Sequence, residues 1–198
     1  MALPLSISAE TFVIPFSDIR QAIDTSEVTV VDITPTFTGD FEAGWVDWSA
    51  DVGLWEVGTP SVVGPPSCFA GTQCAGTVLD GNYPANTTSR LVGASMQMPV
   101  VTGFDEIHMR FQNWFAYGSG DSGQVQVSVW DSGTLMRGAW VNEGSAVVNV
   151  SGAWTLKDVD LTAYSGERVR IGLLHPADPS GITVSNGWYT DDVTISVF

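Results

Sequence analysis

The chain has 198 residues, 44% of them hydrophobic, which excludes a disordered polypeptide and allows one domain with a sizeable core. Its 22 acidic and 7 basic residues give a formal net charge of −15, which excludes nucleic acid and an anionic membrane as partners, since both require a basic footprint. No apolar run approaches the roughly 18 residues of a membrane span.

"MALPLSISAE" lacks the charged start of a signal peptide, so the sequence reads as a mature segment or as part of a larger secreted protein. Residues 1–38 form a lead-in. Within it "FSDIRQAIDT" (16–25) predicts one short helix, with Ser17 as N-cap, and "EVTVVDITPTF" predicts a strand that stops at Pro35. From residue 39 onward the texture is all-β. Alternation predicts strands over 89–98, 105–116, 124–130, 153–161, 167–174 and 188–197. In the second of these, Ile107, Met109, Phe111 and Phe115 share one face, opposite His108, Arg110, Gln112 and Trp114. Val125, Val127 and Val129 point inward from the third. Short strands with frequent glycine-rich turns predict a sandwich of two antiparallel sheets.

Three patterns bear on chemistry. "GSGDSGQVQV" (118–127) contains the Gly-Asp-Ser-Gly spelling found around the nucleophile of trypsin-like proteases. A nucleophilic Ser122 needs a base, an orienting carboxylate and an oxyanion hole. His108 lies only fourteen residues upstream and His175 follows the serine without a G-x-S-x-G elbow, so the stretch is expected to be a hairpin tip. The paired acids Asp191-Asp192, Asp158 with Asp160, and Asp105-Glu106 carry no mark of a glycosidase. Cys68 and Cys74, in "CFAGTQC", lie far in sequence from either histidine, so a disulfide and an oxidising compartment are expected rather than a metal site.

Two acids stand out. By period two Asp191 shares the apolar face of Val193, Ile195 and Val197, and Glu42 sits between Phe41 and Ala43 in a possible first strand. A carboxylate in a core-facing register is costly unless paired or bound to a cation. A hard cation between the first and last strands would explain both. A plain acidic surface without metal is the other reading of these aspartates.

"FEAGW", "CFAGTQCAGTVLDGNYPANTTSRL", "IHMRFQNWFAYGSGDSGQVQVSV", "SGAWTLKDVDLTAYSGERVRIGLL" and "NGWYTDDVTI", in that order over residues 39–198, resemble the MAM-like β-sandwich modules of secreted bacterial proteins. Those modules include ones attached to immune-inhibitor-A-type metallopeptidases, and the ending also resembles jelly-roll carbohydrate-binding modules. The resemblance implies an all-β, antiparallel two-sheet jelly roll with no catalytic residues of its own and a structural Ca²⁺. It places ligands at Glu42 and Asp191, with Gly71 giving a backbone carbonyl and Asp40, Asp80 and Asp192 as further acids.

Aromatic residues bear on recognition, because sugar faces stack on exposed rings. Trp45, Trp55, Trp154 and Trp188 fall at core positions of the resemblance. Trp48, Trp130, Trp140 and Trp114, with Tyr117 and Tyr189, are the remaining rings; Asp131 and Arg137 lie beside Trp130 and Trp140 in "VWDSGTLMRGAW". The expected role is a secreted or cell-surface accessory module that binds a glycan or tethers a neighbouring enzyme to its target. The alternative is a protein–protein or structural module, with a hydrolase as a remote third.

Overall fold

The computed structural model describes residues 30–32, 37–176 and 184–198. The helix expected over 16–25 lies outside them. In chain order the strands are β1 (Val30–Asp32), β2 (Phe37–Gly39), β3 (Trp48–Ala50), β4 (Glu56–Gly58), β5 (Cys74–Gly76), β6 (Ser89–Gly93), β7 (Ser95–Gln97), β8 (Ile107–Ala116), β9 (Gly123–Asp131), β10 (Met136–Arg137), β11 (Val141–Val147), β12 (Thr155–Asp160), β13 (Arg168–His175) and β14 (Gly187–Val197).

They form two sheets. In the eight-stranded sheet β13 is central, flanked by β9 on one side and by β6 and β7 on the other. β3 and β1 extend it beyond β6 and β7, and β10 and β11 extend it beyond β9. The six-stranded sheet runs β12-β8-β14-β5-β4, with β2 also on β14. Every pairing is antiparallel except the parallel pair β1–β7. Residues 30–32 of the lead-in thus enter one sheet, and 37–39, which straddle the boundary the sequence suggests near 38, enter the other.

The expected alternation builds the core. Val125, Val127, Val169, Ile171 and Leu173 from one sheet meet Ile107, Met109, Phe111, Trp188, Val193 and Ile195 from the other, all buried. Trp188 is fully covered and packs against Trp55 and Phe111, with ring centroids 5.8 and 6.2 Å away. Apolar area of this size removed from water is the main stabilising term of the sandwich.

The Gly118–Ser122 connection is not a hairpin. β8 pairs with β12 and β14, whereas β9 pairs with β13 and β11, so the segment carries the chain from one sheet to the other. Alternation on its two flanks reports one buried face per strand; here the two faces look onto the same core from opposite sides. Gly123 opens β9 where a Cβ would stand 2.5 Å from Trp188 Cε3. Asp121 is buried beside it and accepts the Tyr83 hydroxyl, which in turn takes the Gly118 N–H at 3.0 Å.

β14 departs from period two. Asp191 lies opposite Gln112, but Thr194 lies opposite Arg110, so one extra residue is accommodated at Asp192, whose φ is 49°. The bulge turns Asp191 onto the outer face of the six-stranded sheet, with Tyr189 and Gln112, rather than the core face of Val193. Glu42 stands in a turn, not a strand, after Phe41 at φ 57°.

Candidate ligand-binding face and the acid-held loop

The disulfide Cys68–Cys74 is formed, with the two Cα atoms 5.5 Å apart. In the chain-entropy model a loop this short stabilises by about 2 kcal/mol. The loop lies over the outer face of the six-stranded sheet and meets both predicted acids. Asp191 Oδ2 accepts the Ala70 N–H at 3.1 Å and Oδ1 accepts the Asp192 N–H at 2.8 Å. Glu42 Oε1 accepts the Thr72 and Gln73 N–H groups, both at 2.8 Å, and Oε2 accepts the Thr72 hydroxyl at 3.0 Å. Gly71, at φ +54°, sits between these anchor points; a Cβ there would meet Glu42 Oε1 at 2.3 Å, so only glycine allows so close an approach.

The two carboxyls differ in environment. Glu42 is exposed, and the Gln73 and Thr72 backbone N–H groups hold it below its ordinary pKa. Asp191 is fully covered, and burial pushes its carboxyl up to about 6 despite the Ala70 N–H. The other predicted ligands scatter. Asp40 accepts the Glu42 N–H at 3.2 Å and shares a surface cleft with Asp192. Asp80 is exposed on another segment, where its charge bears on Tyr189. Among the described residues no three acids, histidines or cysteines gather as a metal cage. The donor chemistry still suits a hard cation, because a carboxylate has about four acceptor positions and each of these uses only some of them.

The expected aromatic platform divides. Trp48, Trp114 and Tyr117 are buried at 6%, 9% and 5% exposure, which corrects their assignment to a ligand surface. Trp48 packs on Phe41 with centroids 5.8 Å apart. Trp114 meets Tyr189 edge-on at 5.5 Å, beneath the segment whose Val78 carbonyl accepts the Tyr189 hydroxyl at 2.7 Å. Tyr117 stacks on His175 and lies 3.2 Å from its Nδ1. Trp55 and Trp188 are buried and Trp154 half-buried, but Trp45, expected in the core, is 37% exposed.

Trp130 and Trp140 remain half-buried on the outer face of the eight-stranded sheet. Arg137 faces Trp130 in the β9–β10 pairing. Asp131 closes that hairpin: Oδ1 accepts the Gly133 N–H at 2.8 Å and Oδ2 the Thr134 hydroxyl at 2.8 Å. Its carboxylate therefore serves the turn. Arg137 crosses the strand to the Ser128 carbonyl and to Ser95 Oγ, both at 2.8 Å, and Arg168 Nε reaches the same Oγ at 3.0 Å. The guanidinium carbons of Arg168 and Arg137 stand 5.4 and 6.0 Å from the Trp130 ring.

A second stack lies across β13. Arg90 stands 4.5 Å over the Trp140 ring, donates from Nε to Gln126 at 2.9 Å and pairs with Asp51 at 2.8 Å. Gln126 in turn donates to Asn142 at 2.7 Å. Both large side chains fit because residue 172 is glycine, where a Cβ would meet Arg90 Cδ at 2.4 Å and Trp140 Cζ3 at 3.0 Å. The result is two tryptophan–arginine stacks joined by amide and hydroxyl groups on one β surface. Such an arrangement offers flat apolar area beside oriented donors. Arg90, Arg168, Arg170, Gly172, Gln126 and Asn142 are additions to the sequence-derived set. Their signal was available in "RVRIGLL", where residues 168, 170 and 172 alternate with a buried Val-Ile-Leu face.

Neither histidine stands beside Ser122 as a base for it. His108 contacts Asp158 Oδ1 at 2.5 Å and Glu106 Oε2 at 3.0 Å on the six-stranded sheet, and these two acids raise its pKa. His175 is buried, and burial lowers it to about 4. Among the described residues no hydrogen bond joins either histidine to Ser122.

No family model matches the chain. It is 33% identical over 181 residues to Bacillopeptidase F of Bacillus subtilis (strain 168), an alignment covering 87% of this chain and 12% of that protein. The chain therefore spans about one-eighth of the length of the curated relative it matches. Among solved structures, the CBM22-1 xylan-binding domain of Paenibacillus barcinonensis Xyn10C superposes with a TM-score of 0.50 at 14% identity, over 81% of this chain and 92% of that one. The C-terminal family 22 carbohydrate binding module of Clostridium thermocellum Xyn10B gives 0.50 at 13% identity, again over 81% and 92%. At these identities the likeness is one of fold, an all-β two-sheet sandwich. The MAM-like resemblance rests on the sequence motifs alone.

Proposed function

We propose that the chain is a non-catalytic accessory module of a larger extracellular protein, and that it recognises a glycan on the outer face of its eight-stranded sheet. The observation that carries this reading is the pair of half-buried tryptophans, Trp140 held against Arg90 over Gly172 and Trp130 held against Arg168. Supporting it are the fold shared with carbohydrate-binding modules, the disulfide, and the sequence relation to part of a protein named as a peptidase. Among the described residues no helix is long and apolar enough to cross a membrane. The role of such a module is to raise the local concentration of an attached enzyme at its target.

We further propose a structural Ca²⁺ at the 68–74 loop. Asp191 and Glu42 would hold it, with Asp40, Asp192 and backbone carbonyls such as that of Gly71 as further oxygen donors. Asp80 stands apart from this group. When bound, the cation would supply charge compensation for the buried Asp191 carboxylate.

A glycan array with and without Ca²⁺ tests the recognition role. The wild type should bind a discrete set of polysaccharides, and Trp130→Ala should lose at least about 5-fold in affinity, taking the about 1–3 kcal/mol of base–aromatic stacking as the scale for a flat ligand face. A wild type that binds no glycan would remove the reading and leave the protein–protein module as the alternative.

A further inference from the structure

We infer that the ligand of this face is an acidic glycan, a polysaccharide bearing a carboxylate on its sugar rings. This inference rests on the glycan-binding reading above and adds the charge class of the ligand.

The chain has only seven cationic side chains against 22 acidic ones. Four of the seven, Arg90, Arg137, Arg168 and Arg170, belong to this one surface. Register explains the clustering: Arg170 lies opposite Ser128 and Arg168 opposite Gln97, while Val169 and Ile171 between them point into the core. Arg90 lies opposite Leu174 on the same strand, and Arg137 arrives from the neighbouring hairpin. The other two described cations, Arg110 and Lys157, lie on β8 and β12 of the opposite sheet, where Arg110 pairs with Asp158 at 2.7 Å and Lys157 donates to the Ser145 carbonyl at 2.6 Å. Four of the six described cations therefore lie on the face that carries the half-buried Trp130 and Trp140. Acids border that face: Asp51 pairs with Arg90, Asp47 shares a cleft with Arg170, and Asp131 holds its turn.

The choice of arginine bears on the ligand. A guanidinium presents a planar fork that matches a carboxylate and stacks on an indole face. Arg168 reaches Ser95 through its Nε, while Arg90 and Arg137 also anchor the face to Gln126, Asp51, Ser128 and Ser95. A neutral sugar chain needs rings and amides but gains nothing specific from four cations. A nucleic acid brings a phosphate charge about every 1.7 Å along its axis and meets strong repulsion from the rest of the surface. A chain with one carboxylate per sugar ring lies between: its charges are spaced, and its ring faces suit Trp130 and Trp140. Arg168 and Arg170 lie two residues apart on the same face, roughly 7 Å along the strand, so their charges are spaced rather than paired. An acidic peptide could pair with the arginines but offers no flat apolar face of that kind to both indoles.

The test compares polygalacturonate with its fully methyl-esterified form, which has the same sugar ring without the charge, by isothermal titration of the full chain at 0.15 M NaCl and in EDTA. Xylan and poly-glutamate serve as the neutral-glycan and acidic-peptide probes. Polygalacturonate should bind at least 10-fold more tightly than the ester and than poly-glutamate, and should weaken several-fold between 0.15 and 0.5 M NaCl. Arg168→Gln combined with Arg170→Gln should abolish that preference, while Arg168→Lys alone, which keeps the charge and loses the fork, should retain part of it. Melting temperatures of the variants separate lost recognition from lost folding. Equal binding of acid and ester, or binding of xylan alone, would overturn the charge class and leave the glycan reading standing. Poly-glutamate binding as tight as polygalacturonate would overturn it in favour of an acidic peptide. Failure to bind any of these probes, with no glycan bound on the array, would remove both readings together.

Discussion

Asp191→Asn should stabilise the calcium-free protein by roughly 2 kcal/mol at pH 7.5, and this advantage should disappear as the pH falls, leaving the variant about 1 kcal/mol below the wild type near pH 4. Burial raises the folded-state pKa of Asp191 from 3.8 to about 6, a difference of about 2 pH units or roughly 3 kcal/mol. The sign follows from linkage. A group whose pKa is raised on folding contributes stability that is fully present below its unfolded value and is lost as the pH rises through the folded one. The wild type should therefore lose stability between about pH 4 and 7 from this residue. Asparagine has no charge to desolvate, but its NH₂ cannot accept both N–H groups that now reach the carboxylate, which returns about 1 kcal/mol.

The same substitution reads out the proposed cation. At pH 7.5, adding Ca²⁺ should raise the melting temperature of the wild type, because a ligand that binds only the folded state stabilises it by mass action. Asp191→Asn should show a much smaller rise. Urea unfolding across pH with EDTA or Ca²⁺ measures both effects. An Asp191→Asn curve parallel to the wild type from pH 4 to 8 would contradict the buried-charge argument; equal Ca²⁺ responses would contradict the site.

In the Gly-Asp-Ser-Gly stretch, Ser122→Ala should leave the urea midpoint unchanged, while Gly123→Ala and Asp121→Ala should each cost about 1–3 kcal/mol. The serine is the letter that a hydrolase could not lose, yet here its neighbours hold the fold. A methyl on Gly123 would stand 2.5 Å from Trp188 Cε3 and 2.6 Å from Val147 Cγ2, so the central tryptophan would have to move. Asp121 is buried, and its loss removes the acceptor of the Tyr83 hydroxyl at the arch between the sheets. A Ser122→Ala variant that unfolds earlier than Gly123→Ala would show that the packing around this arch has been misread.

The fold was legible where one strand face is buried and the other wet. β8 alternates over 107–112 and β13 over 168–171, and Val125 and Val127 of β9 are buried as expected, while Val129 and Phe115 are only partly covered. β11 left no such mark, because Val141–Val147 is exposed along most of its length at a sheet edge. β3, β4 and β5 are three residues each, too short for a period to register. Connectivity was less legible still: alternation cannot tell a hairpin from a crossing, because both join strands with one buried face.

The site was partly legible. Glu42 and Asp191 both accept N–H groups of the Cys68–Cys74 loop, but period two places Asp191 on the wrong face, since nothing in "YTDDV" announces a bulge. Trp114 is covered by Tyr189, which is distant in sequence, and Trp48 by Phe41 through a turn that no period marks. The arginines of β13 belong to no motif; what marks the strand in the sequence is its buried Val-Ile-Leu alternation, and a face is assigned to Arg168 and Arg170 only by exclusion from it.

The recognition face itself is tested most directly by Gly172→Val, with titration of an array-selected glycan alongside the melting temperature. The backbone of Gly172 lies outside the left-handed region and valine suits a strand, so the fold should survive with a melting temperature within a few degrees of wild type. The new side chain would occupy the space in which Arg90 and Trp140 lie over the strand, and glycan affinity should fall at least 10-fold. Wild-type affinity in a folded Gly172→Val protein would contradict the assignment of this face.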